Sequence, residues 1–96
     1  MRYVVHVQPE AQDEVEEAQD YYDGVKPGLG DRFITAFDSC LEVLENTPKF
    51  QKRKGAYRHM VIPKFQYRIV FEVEGTNVFV YQVRHTSRKV SKRFGP

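Results

Sequence analysis

The stretch YRHMVIPKFQYRIVFEVEGTNVFVYQVRHTSRKVSKRF, Tyr57 to Phe94, decides the fold. It reads as three strands in a row followed by a basic tail. Tyr57 to Ile62 is the first of them, and Pro63-Lys64 is its connection to the next. From Phe65 to Glu74 the residues alternate, with Phe65, Tyr67, Ile69, Phe71 and Val73 on one side and Arg68, Val70 and Glu72 on the other. Gly75-Thr76-Asn77 is a short hairpin loop. Asn77 to Arg84 is apolar on both faces, as expected of a strand with neighbours on each side. Thr86 to Pro96 is polar and basic, a short helix or a hanging tail.

Charge divides the chain in two. Residues 46–96 hold 12 Lys or Arg against 2 Asp or Glu, and residues 1–45 hold 3 against 11, so the net +2 conceals halves of +10 and −8. A polyanion, or an enzyme that handles one, would meet its complement only in the C-terminal half. Ninety-six residues suit one domain, residues 1–96, with one core. No run approaches the roughly 18 apolar residues of a membrane span, and no apolar signal segment opens the chain, so a cytoplasmic protein without membrane contact is expected. The single cysteine, Cys40, excludes a disulfide scaffold and reads as a small buried hydrophobe.

Upstream, Arg2 to Val7 reads as a strand that joins the later sheet. Pro9 opens a helix, where its fixed backbone angle and missing donor do no harm. Ala11, Val15, Ala18, Tyr22 and Val25 form its apolar stripe; Glu10, Asp13, Glu14, Glu16, Glu17, Asp20 and Asp23 read as a solvated acidic face. Lys26-Pro27-Gly28 breaks the helix. A second helix starts at Leu29 and carries a wider stripe of Leu29, Phe33, Ala36, Phe37, Cys40, Leu41 and Leu44. Asn46-Thr47-Pro48 ends it, because the residue before a proline is pushed out of helical angles. Lys49 to Gly55 reads as a basic loop. The fold expected is α+β: an N-terminal strand, then an antiparallel helix hairpin packed on one face of a three- to four-stranded, mainly antiparallel sheet.

The helix hairpin takes the Phe/Tyr/Ile/Val face of the strand through Arg68, which sends Arg68 to the opposite face. Period two groups Arg58 with Met60 and Ile62, and Arg84 with Val78, Val80 and Gln82. If the strands are neighbours, Arg58, Arg68 and Arg84 share one helix-free face, with His85 and Arg88 at its edge and Lys89, Lys92 and Arg93 beyond. Guanidiniums so grouped suit phosphate or carboxylate, since each is a planar fork of donors with a permanent charge. A neutral imidazole at His85 can take a proton from a ribose 2′-hydroxyl, or simply pin the tail by hydrogen bonding. His6 and His59 are scattered, so no metal site and no cofactor are expected.

These segments together resemble the RelE/ParE superfamily of toxins from bacterial toxin–antitoxin modules. The residues that carry the likeness are the Tyr21-Tyr22 pair, GLGDRF at the start of the second helix, YRHMVIPKFQYRIVFEV and VFVYQVRHTSR. The likeness runs from Tyr3 to Arg88 and is greatest to the ParE-type, or plasmid stabilisation, branch. It implies a toxin neutralised by a cognate antitoxin, acting on DNA gyrase as ParE-like members do, or cutting ribosome-bound messenger RNA as RelE-like members do. On the second route the resemblance assigns Arg68 to the scissile phosphate and Arg58 to a basic position on the strand before, and lets His85 move the proton without a metal. Met60 stands where that pattern has a second basic residue, and no tyrosine follows Tyr81, Phe94 lacking the hydroxyl. The ending R-H-x-x-R and the turn P-K-F-Q-Y-R fit the ParE side better. The antitoxin segment is expected to be acidic and apolar, matched to the +10 half.

Overall fold

The computed structural model describes residues 2–46, 52–54 and 57–86. Val4–Val7 is β1, Pro9–Val25 is α1, Leu29–Asn46 is α2, Lys52–Lys54 is β2, Tyr57–Ile62 is β3, Tyr67–Glu74 is β4 and Asn77–His85 is β5. The strands form one sheet in the order β1-β5-β4-β3-β2. All neighbours are antiparallel except β1, which runs parallel to β5. Both helices lie between β1 and β2 in sequence, and their packing on the sheet makes the α+β architecture that the hydrophobic pattern implies.

Three boundaries differ from the sequence expectation. The basic loop carries β2, a fifth strand whose Lys52 pairs with Arg58 and Lys54 with Tyr57; cationic runs are common at sheet edges. The first strand starts at Val4, Tyr3 giving its N–H to the Glu45 carbonyl at the end of α2. The central strand starts at Tyr67, because residues 63–66 form the turn between Ile62 and Tyr67. Lys64 and Gln66 hold φ of 72° and 53° in that turn, a left-handed geometry that costs a side-chain-bearing residue about 1 kcal/mol or more.

Helix spacing delivers the core. Ala11, Val15 and Ala18 of α1 and Phe33, Phe37, Cys40 and Leu44 of α2 are buried against Ile62, Tyr67, Ile69, Phe71, Val78, Val80 and Val83. Tyr22 joins an aromatic cluster with Phe33, Phe65 and Tyr67, ring centroids 5.1–6.0 Å from its own, and donates its hydroxyl to the Phe65 carbonyl at 2.6 Å. That bond fastens α1 to the β3–β4 turn. Val25, at the end of the α1 stripe, is 61% exposed. Gly28, φ +85°, turns the chain between the helices.

Gly30 sets how closely the helices meet. Its amide donates to Asp23 Oδ1 at 2.8 Å, and a Cβ there would lie 2.5 Å from the Gln19 carbonyl oxygen and 2.6 Å from the Asp23 carboxylate. The backbone oxygen cannot swing aside. Gly30→Ala is therefore expected to lower stability by about 1–3 kcal/mol, read as a reduced midpoint in chemical denaturation. An unchanged midpoint would contradict the close approach.

Candidate functional site

Residues directly opposite in neighbouring strands point to the same face, so the register sorts the arginines. Arg68 stands opposite Arg84 on one side and Val61 on the other. Val61 is 57% exposed and no described helix covers this face. Arg68 and Arg84 therefore share a row on the helix-free side, as expected. The next row is His59, Val70 and Gln82, and the one after holds Glu72 and Phe79.

Arg84 reaches that face for a reason the alternation does not contain. Gln82 pairs with Val70 while Val80 pairs with Phe71, leaving Tyr81 as an extra residue on β5. This bulge reverses parity. Val78 and Val80 point into the core with the helices, not outward with Arg84; beyond the bulge Val83 takes over the core position and Arg84 turns out.

The same register removes two residues from the expected group. Arg58 stands opposite Phe71, in the row of the helix-bearing face that also receives Met60 and Ile62. His85 stands opposite Tyr67, its ring packed edge-on 5.2 Å from the Tyr67 ring, on that same face. His85 and the arginine row thus lie on opposite sides of the sheet. Arg88, Lys89, Lys92 and Arg93 lie outside the described residues.

A residue not singled out by its spacing takes a place instead. His59 is only 7% exposed, and its Nδ1 lies 3.3 Å from an Arg68 Nη. A guanidinium only donates, so Nδ1 accepts and the ring proton sits on Nε2 when this bond is made. His59 orients Arg68. Arg84, facing Arg68 at 8% exposure, adds a second fixed positive charge to the row. Two like charges directly opposite are unfavourable unless neighbouring groups offset them. Among the described residues, His59 is the imidazole beside the paired guanidiniums.

The neighbouring hydroxyl is also committed. Tyr81 donates to Glu72 Oε1 at 2.9 Å, and its ring meets the Tyr57 ring edge-on at 5.7 Å. Burial, with the Glu72 hydrogen bond second, pushes the Tyr81 phenol up to about 12. Burial likewise pushes the Cys40 thiol up, and Cys40 sits 3% exposed in the core, which fits a packing role. Among the described residues no cluster of three His, Cys, Asp or Glu could hold a metal ion, and no helix is long and apolar enough to cross a membrane.

The acidic helix face is not wholly solvent-directed. β1 ends at Val7, and Gln8 gives the last amide on that side to the Val80 carbonyl at 2.9 Å. Past that point no strand among the described residues lies beside β5 on that side, and α1 supplies an acceptor: Glu14 Oε1 takes the Val83 amide at 2.8 Å. Gln82 donates to Glu10 Oε1 at 3.4 Å. The half-buried Glu14 carboxylate thereby secures the register of the residue next to Arg84. A buried amide left without an acceptor costs about 1–3 kcal/mol.

Comparison with known proteins agrees with this frame. The model of a family described as the ParE toxin of type II toxin-antitoxin system, parDE, matches residues 5–90. A solved structure described as the chromosomal ParDE TA system from P. aeruginosa superposes with a TM-score of 0.78 over 90% of this chain and 98% of that one, at 11% identity, a likeness of fold. No curated protein matches the chain.

The Tyr81 phenol gives a test of the row beneath the arginines. A phenol whose proton is held more tightly in the folded state stabilises the fold fully below the ordinary value near 10. That stability is lost as pH rises through about 12, where the folded protein releases the proton too. Spectroscopic titration of tyrosinate is expected to show a step near pH 12 that Tyr81→Phe removes. Loss of that step in no variant, or a wild-type titration complete near 10, would contradict the buried Tyr81–Glu72 bond.

Proposed function

The chain belongs to the ParE toxin family of type II toxin–antitoxin systems, and from that we propose that it is a toxin that inhibits DNA gyrase by binding, held in check in the cytoplasm by a cognate antitoxin. The observation that carries this reading is the separation of parts: Arg68 and Arg84 occupy one face of the sheet, His85 the other. Cleavage of RNA through a 2′-hydroxyl needs a proton acceptor within hydrogen-bond reach of the nucleophile held at the phosphate. Here the arginine row has His59, whose Nδ1 is engaged with Arg68, and Tyr81, whose hydroxyl is engaged with Glu72. A fixed cationic row with its polar neighbours already paired suits tight contact with an anionic surface, such as a protein–DNA complex.

The alternative, a metal-independent, RelE-like endoribonuclease acting on ribosome-bound messages, keeps one supporting feature: His59 touches Arg68 and is the imidazole nearest the arginine row. On that route Arg68 and Arg84 would hold the phosphate, and Arg58 and His85 would play no direct part.

The two readings separate in one pair of assays. Purified protein titrated into gyrase with relaxed plasmid is expected to abolish supercoiling, while translated messages remain uncut by primer extension after induction. Arg68→Ala is expected to weaken inhibition by at least about tenfold, the loss of one charge-assisted contact. Normal supercoiling at saturating protein, together with mapped cuts in messages that His59→Ala abolishes, would replace the inhibitor with the nuclease.

A further inference from the structure

The two edges of the sheet differ in chemistry. At one edge β2, Lys52–Lys54, is a run of cations, the kind of strand that repels a further strand of like charge. At the other edge β1, Val4–Val7, reads Val-Val-His-Val and carries no acidic or permanently cationic residue. A β-branched strand of that kind offers its unpaired side to another chain. Its outer surface is open: Val4 is 55% exposed and His6 is exposed as well. The His6 ring stacks on Phe79 at 5.0 Å, with Nε2 2.9 Å from Asn77 Oδ1, which holds it on the helix-free face.

Backbone direction sets how a further strand can pair. Val4 gives its N–H to the Thr76 carbonyl and Gln8 its own to Val80, both at 2.9 Å, so the even-numbered residues turn to β5. By the two-residue period Val5 and Val7 turn their N–H and C=O groups away from the sheet. The odd-numbered residues on either side are already committed. Tyr3 donates to the Glu45 carbonyl at 2.8 Å, and Pro9 has no N–H and opens α1. Val5 and Val7 are thus left to carry a ladder. An antiparallel copy of the same strand satisfies both in one register: Val5 of each copy faces Val7 of the other and exchanges both bonds, while His6 faces His6 on a twofold axis. Centring the pair on Val5 instead sets Val7 against Tyr3, whose amide is taken. Centring it on Val7 sets Val5 against Pro9, which has none.

We propose that β1 is a self-association edge, through which two copies of this chain join their five-stranded sheets into one about a twofold axis at His6. The ends of the strand select a second copy over an unrelated strand. α1 opens just after Gln8 and α2 ends beside Tyr3, so antiparallel pairing brings the start of α1 in one copy to the end of α2 in the other. The partial positive charge of a helix N-terminus then meets the partial negative charge of a C-terminus, and α2 has Glu45 and no basic residue in its last turn. Arg2, its side chain 73% exposed and 3.0 Å from Glu45, stands where Glu10 of the second copy arrives. Side chains directly opposite share a face, so the helix-free faces of both copies, each with its Arg68–Arg84 row, lie on one side of the joined sheet. The pairing is independent of which target the toxin meets.

Sedimentation equilibrium of the purified full chain is expected to show a reversible monomer–dimer equilibrium, with the Val5 and Val7 amides protected from hydrogen exchange only at concentrations where the dimer forms. His6 is exposed, so His6→Lys is expected to melt like wild type, while its two ammonium groups, set opposite each other, weaken association by about fivefold or more. Across the axis a non-hydrogen-bonded pair brings the two Cα atoms to about 4.5 Å, within disulfide range. Mild oxidation is therefore expected to link two copies of a His6→Cys protein and not of a Val4→Cys protein, whose residue faces Gln8; Cys40 is buried and stays out of the reaction. A chain that remains monomeric at its highest soluble concentration would overturn the proposal. So would a dimer that His6→Lys leaves at wild-type strength, or linkage through Val4→Cys in place of His6→Cys. Protection of the Val5 and Val7 amides only in complex with a co-expressed antitoxin would give the edge to that partner and remove the dimer.

Discussion

One extra residue in β5 determines what this sheet presents. Tyr81 is the extra residue in the β4–β5 register, and everything C-terminal to it is turned over. Without that insertion Val83 would face away from the helices and Arg84 would be driven toward the core. The bulge is held from both sides. Glu72 binds the Tyr81 hydroxyl on the helix-free face, and Glu14 of α1 accepts the Val83 amide where β1 has run out. An acidic helix and a basic strand, far apart in sequence, thus define one local geometry.

The functional reading follows from that geometry. Arg84 is brought opposite Arg68, His59 fixes the Arg68 guanidinium, and His85, by the same parity, goes to the Tyr67 side. Arg68, Arg84 and His59 share one face of the sheet, and His85 lies on the other.

Most of the fold was legible from hydrophobic spacing. The α1 and α2 stripes, the proline at the start of α1, the break at Lys26-Pro27-Gly28 and the alternation of β4 all appear in the structure as the pattern implies, and β1 does join the sheet. Short, charged β2 was not legible, because three cationic residues carry no apolar period. Arg58 is a different case. A turn of two residues or of four between β3 and β4 pairs Arg58 with an odd-numbered residue of β4, and so with the Ile69–Phe71 row rather than with Arg68. Turn arithmetic held that information, and grouping the arginines by charge passed over it. Arg84 came out on the Arg68 face although its apparent companions, Val78 and Val80, point the other way; a bulge leaves no mark in binary pattern. Glu14 was equally hidden, since a carboxylate that replaces a strand looks, in sequence, like any other on an acidic helix.

The row itself is the claim on which the functional account stands, and cross-strand thiol coupling measures it directly. Side chains directly opposite on one face bring their Cα atoms to about 4.5–5.5 Å, within the range a disulfide spans. Cys40 is buried and does not compete. Mild oxidation of an Arg68→Cys/Arg84→Cys protein is expected to form an intramolecular disulfide, and oxidation of an Arg68→Cys/His85→Cys protein is not. Failure of the first pair to couple under conditions that oxidise exposed thiols would mean that Arg68 and Arg84 do not stand opposite each other on one face, and the account of the row would be wrong.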